Sequence, residues 1–340
     1  MSFRKLKCLL LLIMNLELAF AAEITPYIIN GQDANIDNFP SFASLFYKNG
    51  NVYSTRSFCG ATIINQEYVL TAAHCVYDDD LMLHMIVIPN LNDELDLFTK
   101  EGIRAKEFYY LDTFRNTSDT LWKDDIAIIK LEKPVLSMNY YNLINKSETN
   151  LNSNEKYIAI GHGDTNSEGE NGTKLKKTEL SFVDNDECKN IYGSLITRNH
   201  LCFEGNLLGK SRNSICDGDS GGPIYLNNGN EYIQIGIASF GPIVCGDQKI
   251  NITSVFTNLY EYQSWIEQVL NNKIPPQVYI NTKDGSRVLN YNDKKTDKKI
   301  QKVSAGSFNS ITIIVLFFLL ILSNDRTKLY EYYLWVKCKD

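Results

Sequence analysis

Histidine, long apolar runs and closely spaced cysteine pairs are all scarce in this chain of 340 residues. Only four histidines are present, so a general base with a pKa near neutrality has few candidates. No two cysteines have the C-x-x-C spacing, which argues against a zinc site. The apolar run at 311–322 has 12 residues, whereas a helix needs about 17–25 to cross a bilayer.

Residues 1–21 have the pattern of a secretory signal peptide. Basic residues precede an apolar run, and Ala19 and Ala21 are small residues at the positions that signal peptidase recognises. We expect cleavage after Ala21. The alternative is a membrane anchor, which fits less well because the apolar run is short and is interrupted by Asn15 and Glu17.

Residues 28–270 form the predicted domain. Hydrophobic residues make up 44% of the chain and charged residues 22%, which is typical of a globular protein. Segments such as DIAIIKL, YIAIGHG and IQIGIASFG alternate with turns rich in Asn, Gly and Asp, which predicts an antiparallel barrel or sandwich. Near the end, a helix face is predicted by the spacing of Tyr262, Trp265, Ile266 and Val269.

The composition changes after Leu270. Residues 271–307 are polar and carry 8 basic against 3 acidic residues, whereas 28–270 carry 19 against 32. We expect a solvated stalk, whose charge serves either solubility or contact with an acidic surface, namely the domain itself or lipid headgroups. The hydrophobic segment 308–323 predicts a membrane tether, as a short span or a lipid-anchor signal, with a soluble enzyme as the alternative; residues 324–340 form a tail.

Secretion would place the cysteines in an oxidising compartment, where disulfides form. Leaving aside Cys8 in the signal peptide and Cys338 in the tail, spacing alone does not choose among the pairings of the other six: Cys59, Cys75, Cys188, Cys202, Cys216 and Cys245. Four N-x-Ser/Thr sequons predict glycans on exposed loops, although such a match also arises by chance: Asn116, Asn145, Asn171 and Asn251.

The stretch NSICDGDSGGPIY places Ser220 among glycines, directly before an apolar run. A serine hydroxyl is a weak nucleophile unless a base takes its proton, and His74 in LTAAHC follows a strand beside a cysteine. The imidazole needs a buried acid, for which Asp125 in WKDDIAIIKL is favoured because it directly precedes an apolar strand; Asp124 is the alternative. The amides of Gly218 and Ser220 are predicted to hold a developing oxyanion.

The pattern GDSGGP alone would also fit a glycine-rich turn without function or an α/β-hydrolase, but no histidine follows Ser220, which excludes the hydrolase. With TAAHC, DIAIIKL and GDSGGP in this order, the chain resembles the trypsin-like serine proteases over residues 28–270. The resemblance implies an all-β fold of two packed antiparallel six-stranded β-barrels with a C-terminal helix, and catalysis by His74, Asp125 and Ser220. It also implies the disulfides Cys59–Cys75, Cys188–Cys202 and Cys216–Cys245.

The same resemblance implies activation by cleavage before Ile28, whose freed amine would pair with Asp219. A buried carboxylate needs such a partner, so the uncut chain would be a zymogen with a poorly formed oxyanion hole and a short activation peptide at 22–27. Tyr27 stands where relatives usually have Arg or Lys. We therefore expect activation by a peptidase that cuts after aromatic residues, or by self-cleavage.

In the family, the residue six before the nucleophile lies at the base of the specificity pocket. Here that residue is Ser214, which has no charge that would favour Lys or Arg in the substrate. The pocket walls would include Ser239, Gly241 and Ser254, with Gly241 keeping one wall open and Ser254 narrowing the pocket. We predict cleavage after apolar residues such as Leu, Met, Phe or Tyr.

Several neighbouring residues have two interpretations. Asp217 either favours basic residues on the leaving side of the substrate or is a solvated loop acid. Trp122 either forms the wall of the neighbouring subsite or lies in the core. His162 replaces a tryptophan that is usual in the family, and we interpret it as structural. The acids of YDDD at 77–80 are interpreted as a solvated charge run rather than a calcium site.

Together these patterns predict a secreted or surface-tethered serine endopeptidase that is made as a zymogen and acts through an acyl-enzyme. Its expected partners are a protein or peptide substrate, an activating protease and protein protease inhibitors; no cofactor, metal or nucleic acid is expected. The alternative from another class is a non-catalytic protease homologue that binds a partner. Such homologues usually lack a catalytic residue, and none is missing here.

Overall fold

Short apolar segments form antiparallel strands throughout the residues that this computed structural model describes, which are 28–136, 151–164, 172–227, 229 and 231–292. The strands are β1 (Gln32–Asp33), β2 (Phe42–Asn49), β3 (Val52–Tyr53), β4 (Cys59–Ile63), β5 (Tyr68–Thr71), β6 (Met85–Pro89), β7 (Ile103–Tyr110), β8 (Ala127–Leu131), β9 (Tyr157–Gly161), β10 (Lys176–Val183), β11 (His200–Gly205), β12 (Leu207–Leu208), β13 (Ser211–Arg212), β14 (Pro223–Asn227), β15 (Tyr232–Phe240), β16 (Ile252–Asn258), β17 (Val278–Lys283) and β18 (Ser286–Tyr291). The α-helices are α1 (Asp79–His84), α2 (Asn185–Tyr192) and α3 (Gln263–Leu270).

The strands close into two six-stranded barrels, which confirms the fold predicted from the resemblance. In the first barrel, β2 pairs with β4, and the order continues through β5, β8, β7 and β6 back to β2. In the second, β9 pairs with β10, and the order continues through β11, β16, β15 and β14 back to β9. Closure leaves these central strands without open edges.

The apolar run in DIAIIKL accounts for a strand that is buried on both faces, because successive side chains of a strand point in opposite directions. The side chains of Ala127, Ile128 and Ile129 are fully buried, and Val69 of β5 lies opposite Ile129. Full burial of one such aliphatic side chain stabilises the fold by roughly 1.5–3 kcal/mol. The predicted C-terminal helix is present as α3, and Trp265, Ile266 and Val269 form its buried face.

Residues 271–307 differ from the solvated stalk that composition predicts, as far as the structure describes them. Strands β17 and β18 form a hairpin whose first strand pairs with β7 of the first barrel. Val278 and Ile280, two residues apart, are buried, and Asp284 and Gly285 turn the chain with φ angles of 51° and 76°. The alternation of apolar residues around an Asp-Gly pair gives this segment an amphipathic hairpin, which the polar average of the region conceals.

Arg287 attaches this hairpin to the rest of the domain. Its guanidinium donates to the carbonyl oxygens of Leu83 at 3.1 Å and Ala105 at 2.6 Å, and it forms an ion pair with Glu132. Tyr291 donates its hydroxyl proton to Asp79, at the start of α1. The basic segment therefore lies on the acidic domain over its described part, which was one of the two alternatives for its charge.

Several predictions fall outside the described residues. These are the signal peptide 1–21, the activation peptide 22–27 with Tyr27, the sequons at Asn145 and Asn171, the hydrophobic segment 308–323 and the tail 324–340. Among the helices that the structure describes, none is long and apolar enough to span a bilayer.

Candidate active site

The strand β4 holds two segments of the site together from adjacent residues. Cys59 forms a disulfide with Cys75, which directly follows His74 in a 3-10 turn at Ala73–Val76. The amide of Gly60 donates to the carbonyl oxygen of Ser220 at 2.8 Å. The loop that carries Ser220, from the second barrel, is thereby fixed beside the segment that carries His74, from the first.

His74 and Asp125 are joined by two hydrogen bonds. Nδ1 of the imidazole lies 2.8 Å from Oδ2 of Asp125, and the backbone amide of His74 donates to Oδ1 at 2.9 Å. The carboxylate is buried, with 1% of its side chain exposed, against 19% for the imidazole. This arrangement fixes the ring orientation and leaves Nε2 as the nitrogen that can accept a proton from a nucleophile.

Asp124, the alternative acid, has other partners. Tyr262 donates to its Oδ1 at 2.9 Å and Asn199 at 3.2 Å, so the structure brings only Asp125 to the imidazole. Leu121, Trp122 and Asp124 have φ angles of 48°, 45° and 59°, a rare left-handed conformation for residues with a side chain. Such strain persists only where surrounding contacts enforce it, and it often occurs at functional sites.

Two further hydroxyl groups hold Asp125 in place. Ser239 donates to Oδ2 at 2.5 Å, and Thr257 donates to the carbonyl oxygen of Asp125 at 2.8 Å. The sequence predicts a place for Ser239 in the substrate pocket but neither of these two contacts. Each contact joins residues more than 100 positions apart, so no local sequence pattern indicates it. Ser239 also lines the cleft described below, so it belongs to both features.

The histidines differ in electrostatic environment. Burial alone would lower the pKa of His74, but the charge and hydrogen bond of Asp125 outweigh it, so the pKa is raised above its ordinary value. Burial lowers the pKa of His162 to about 4 and also lowers that of His200. These two buried imidazoles are therefore neutral near pH 7, which supports a structural interpretation of His162.

The loop around Ser220 leaves backbone donors free. Gly218 has a φ of 95°, and a Cβ there would lie 3.0 Å from the Cα of Gly163, so a side chain would strain the backbone and crowd Gly163. Within the described residues, the amides of Gly218 and Ser220 donate to no protein acceptor. Two such amides are suited to bind an oxyanion.

Asp219 and Ile28 are both fully or almost fully buried. Burial raises the pKa of Asp219 to about 7, although the amides of Cys216 and Gly163 donate to its two oxygens at 2.9 and 2.8 Å. The backbone beside Ile28 is anchored because the amide of Ser214 donates to the carbonyl oxygen of Ile29 at 3.4 Å. A positive charge near Asp219 would favour its ionised form.

A cleft of about 300 Å³ contains His74 and Ser220, although the described residues form no hydrogen bond between these two side chains. Such contacts often tighten only when substrate is bound. The other lining residues are Trp122, Ile215, Cys216, Asp217, Ser239, Phe240, Gly241, Pro242, Ile243 and Cys245. The disulfide Cys216–Cys245 joins two segments of this lining, and the third disulfide, Cys188–Cys202, joins α2 to β11.

The predicted pocket residues divide into two groups. Gly241 lines the cleft, and a Cβ on it would lie 2.8 Å from the carbonyl oxygen of Thr253, so the wall leaves no room for a side chain. Ser214 and Ser254 are fully buried and are not among the lining residues. The Ser214 hydroxyl donates to the carbonyl oxygens of Ile215 and Thr253, at 2.6 and 3.0 Å. The Ser254 hydroxyl accepts from the amide of Ile215 at 3.2 Å.

Other ambiguous residues also have defined positions. Trp122 and Asp217 both line the cleft. The acids at 77–80 belong to the start of α1, where the Asp78 carboxylate accepts from the amide of Leu81 at 2.8 Å and caps the helix. A buried carboxyl group that sequence analysis missed is Glu94, which accepts hydrogen bonds from the amide and hydroxyl of Ser57.

Comparisons with known proteins agree with this geometry. The Trypsin family profile matches residues 28–266. The chain is 30% identical over 263 residues to CLIP domain-containing serine protease B4 of Anopheles gambiae, covering 72% of this chain and 71% of that protein. It is 29% identical to chymotrypsin-like elastase family member 1 of Canis lupus familiaris, covering 73% and 94%.

A solved structure is also similar. The secreted serine protease VesC from Vibrio cholerae superposes with a TM-score of 0.59 at 26% sequence identity, covering 74% of this chain and 50% of that chain. This chain thus spans about half the length of VesC. The profile match, the relatives and the two barrels show that the chain belongs to the trypsin family and is a serine endopeptidase.

Proposed function

We propose that His74, Asp125 and Ser220 are the catalytic residues of a secreted endopeptidase. His74 takes the proton of Ser220 as the hydroxyl attacks the substrate carbonyl, and later returns it to the leaving amine. Asp125 orients the imidazole and stabilises its charged form, and the amides of Gly218 and Ser220 hold the oxyanion. The observation that carries this proposal is the 2.8 Å contact between His74 and buried Asp125 in the cleft that contains Ser220.

The proposed specificity is cleavage after apolar residues. Ile215, Phe240, Pro242 and Ile243 supply apolar surface to the cleft, and Ser214 adds no charge below it. Asp217 is the one acid among the described residues that line the cleft, and it is exposed. Asp164 is its neighbour, since the amide of Asp164 donates to the carbonyl oxygen of Asp217 at 2.7 Å, and the charge of Asp217 at the cleft would favour basic residues on the leaving side.

The enzyme is proposed to be made as a zymogen. Cleavage after Tyr27 would free the amine of Ile28, and its positive charge would pair with Asp219. Burial raises the pKa of Asp219, and no ion pair joins it to a cation among the described residues. The activator would be a protease that cuts after aromatic residues, or the enzyme itself. The proposed partners are protein substrates, the activating protease and protein inhibitors. The enzyme is proposed to act outside the cell, or at the cell surface with residues 308–323 as the tether.

An active-site label tests the catalytic proposal. The secreted protein is cut to begin at Ile28, checked by N-terminal sequencing, and treated with a fluorophosphonate probe, with Ser220→Ala as the control. Labelling of the wild type alone, together with turnover of peptide esters, supports the proposal. Absence of labelling on a folded protein that begins at Ile28 would instead indicate the non-catalytic homologue.

Cleavage of a peptide library tests the specificity. We expect Leu, Met, Phe or Tyr before the cleaved bond. Enrichment of Lys or Arg at that position would refute the pocket assignment while leaving the catalytic residues unaffected.

A further inference from the structure

Asn116 begins a sequon, Asn-Thr-Ser, and its side chain is hydrogen-bonded to a residue of the cleft. The indole Nε1 of Trp122 donates to Oδ1 of Asn116 at 3.2 Å. Trp122 lines the cleft together with His74 and Ser220, and its ring stacks on Phe240, with centroids 5.6 Å apart. Asn116 itself is exposed. One side chain therefore separates the sequon from the substrate cleft.

The backbone fixes the position of Asn116 relative to Trp122. Thr117 caps a 3-10 turn at Ser118–Thr120, and the amide of Trp122 donates to the carbonyl oxygen of Thr117 at 3.2 Å. Since the carbonyl oxygen of the Asn116 side chain accepts the indole proton, the amide nitrogen Nδ2 is left for modification. That nitrogen is the atom that carries the sugar in an N-linked glycan.

We propose that an N-linked glycan on Asn116 stands at the rim of the substrate cleft and restricts the enzyme to short or unfolded substrates. The inference rests on the proposed function as a secreted endopeptidase, since glycosylation requires the secretory pathway. The modification forms a bond from Nδ2 to the anomeric carbon of an oligosaccharide. It breaks the bond from that carbon to a lipid pyrophosphate donor, and Nδ2 releases one proton.

The size of a glycan makes the restriction selective. A short peptide needs only the cleft between Trp122 and the Ser220 loop, whereas a folded protein also presents surface on both sides of its cleaved loop. A bulky sugar at the rim obstructs that surface and leaves the cleft itself open.

The other described sequon leaves less room for a glycan in the folded domain. Asn251 is only partly exposed, and the hydroxyl of its Thr253 is buried and donates to the carbonyl oxygen of Asn213 at 2.7 Å. Asn116 and its Ser118 are both exposed. The folded domain thus accommodates a glycan beside the cleft more readily than one at Asn251.

Two variants of Ser118 test the proposal in the full-length protein secreted from eukaryotic cells. Ser118→Ala removes the sequon but keeps Asn116 and its bond to Trp122, whereas Ser118→Thr keeps the sequon as the matched control. Occupancy of Asn116 is read by mass spectrometry of peptides. Each activated protein is then assayed with a short peptide ester and with one disulfide-linked protein, both native and reduced.

We expect a glycan on Asn116 in the wild type and in Ser118→Thr. In Ser118→Ala, kcat/KM for the native protein should rise roughly tenfold, while the values for the ester and the reduced protein change less than about twofold. Enzymatic removal of the glycan from folded wild type should give the same rise, which covers the case that Ser118→Ala is poorly secreted.

The inference would be overturned by an unmodified Asn116. It would also be overturned if the ratio of kcat/KM for the native protein to kcat/KM for the ester were the same with and without the glycan. If the ester is turned over and this ratio is unchanged, only the role of the glycan is refuted. Absence of ester turnover in every variant would refute the proposed endopeptidase function itself, and with it this inference.

Discussion

Ser239 donates its hydroxyl proton to Oδ2 of Asp125 at 2.5 Å, the same carboxylate oxygen that lies 2.8 Å from the imidazole of His74. The hydroxyl therefore shares the negative charge that stabilises protonated His74. Because a hydrogen-bond donor disperses this charge, we expect Ser239 to lower the basicity of His74 through Asp125.

Replacing Ser239 tests this relationship. In Ser239→Ala, the carboxylate of Asp125 loses a donor and attracts the imidazolium more strongly, so the pKa of His74 should rise. We expect kcat/KM to fall roughly tenfold, because the Asp125 carboxylate, which orients His74, loses a hydrogen bond to a charged group. The acid limb of the pH profile of kcat/KM should move to higher pH. Ser239→Thr, which keeps a hydroxyl, should restore the wild-type profile. A fall in kcat/KM without a shift of the limb would assign Ser239 a purely structural role.

The Asp125 carboxylate should dominate the pH dependence of activity. Its charge raises the pKa of His74, so kcat/KM of the wild type should be lost as pH falls through a midpoint above about 6.5, the ordinary histidine value. In Asp125→Asn, burial alone remains and lowers that pKa, so the midpoint should fall while kcat drops about 10⁴-fold. Asp124→Asn is the matched control, because Asp124 bonds to Tyr262 rather than His74. An equal loss in both variants would contradict the assignment.

The pocket assignment predicts a change of specificity in Ser214→Asp. The Ser214 hydroxyl donates to two carbonyl oxygens, which a carboxylate cannot do, so the new charge would lack a donor within the protein. Ser214 directly precedes Ile215, which lines the cleft, so we expect a cationic substrate side chain to stabilise that charge. We expect the ratio of kcat/KM for Arg against Leu substrates to rise by at least about tenfold. Ser214→Ala should not raise it. A library digest with unchanged preference would show that Ser214 does not face the substrate.

The contrast between local patterns and long-range contacts explains what the sequence could predict. The strand pattern alone predicted an antiparallel barrel or sandwich. The two barrels, and the choice of His74 and Asp125 as site residues, depended on the family resemblance that TAAHC, DIAIIKL and GDSGGP carry in this order. The bond from Gly60 to Ser220 joins two barrels and has no local pattern that could have revealed it. Contacts of this kind are set by the packed fold.

The C-terminal hairpin shows a different reason for failure. Averaging over 271–307 gave a polar, basic segment, although Val278 and Ile280 alternate and Asp284-Gly285 is a strong hairpin turn. The alternation with a period of two residues is present in the sequence itself. The average over a long polar segment therefore hid the hairpin, which does not depend on a distant contact for its pattern.

Asp219 should make the stability of the uncut chain depend on pH. Its pKa is raised from 3.8 to about 7 by burial, so the folded chain retains a proton that the unfolded chain releases above about pH 4. The free energy of unfolding should therefore fall as pH rises from about 4 to about 7, and then level off. Chemical denaturation across this range measures the effect.

Two comparisons isolate the contribution of Asp219. The side chain introduced by Asp219→Asn cannot ionise, so the free energy of unfolding should fall less steeply with pH than in the wild type. Part of the slope should remain, because Glu94 and Asp164 also have raised pKa values. Protein cut before Ile28 should lose the same part of the slope, because the new amine stabilises the ionised carboxylate. Equal slopes for cut and uncut protein would contradict the proposed pairing, even if Asp219→Asn does not fold.

Arg287 joins the hairpin to both the first barrel and α1. Its guanidinium bonds to Leu83 and Ala105 and pairs with Glu132, and 17% of its side chain is exposed. Arg287→Ala should lower the free energy of unfolding by about 2 kcal/mol, allowing for partial solvent screening of the ion pair. Arg287→Lys should restore only part of this, since an ammonium group cannot reach all three acceptors in a fixed plane.

Lys283→Ala in the same hairpin is the matched control, because Lys283 is exposed and should leave stability within about 0.5 kcal/mol of wild type. Denaturant unfolding gives the free energies, and hydrogen exchange at the amides of β7 locates the effect. If Arg287→Ala were as stable as Lys283→Ala, the hairpin would be a passive extension. Loss of exchange protection along β7 would show that the first barrel depends on β17, directly before which the Gln277 amide donates to the carbonyl oxygen of Phe108 in β7 at 2.9 Å.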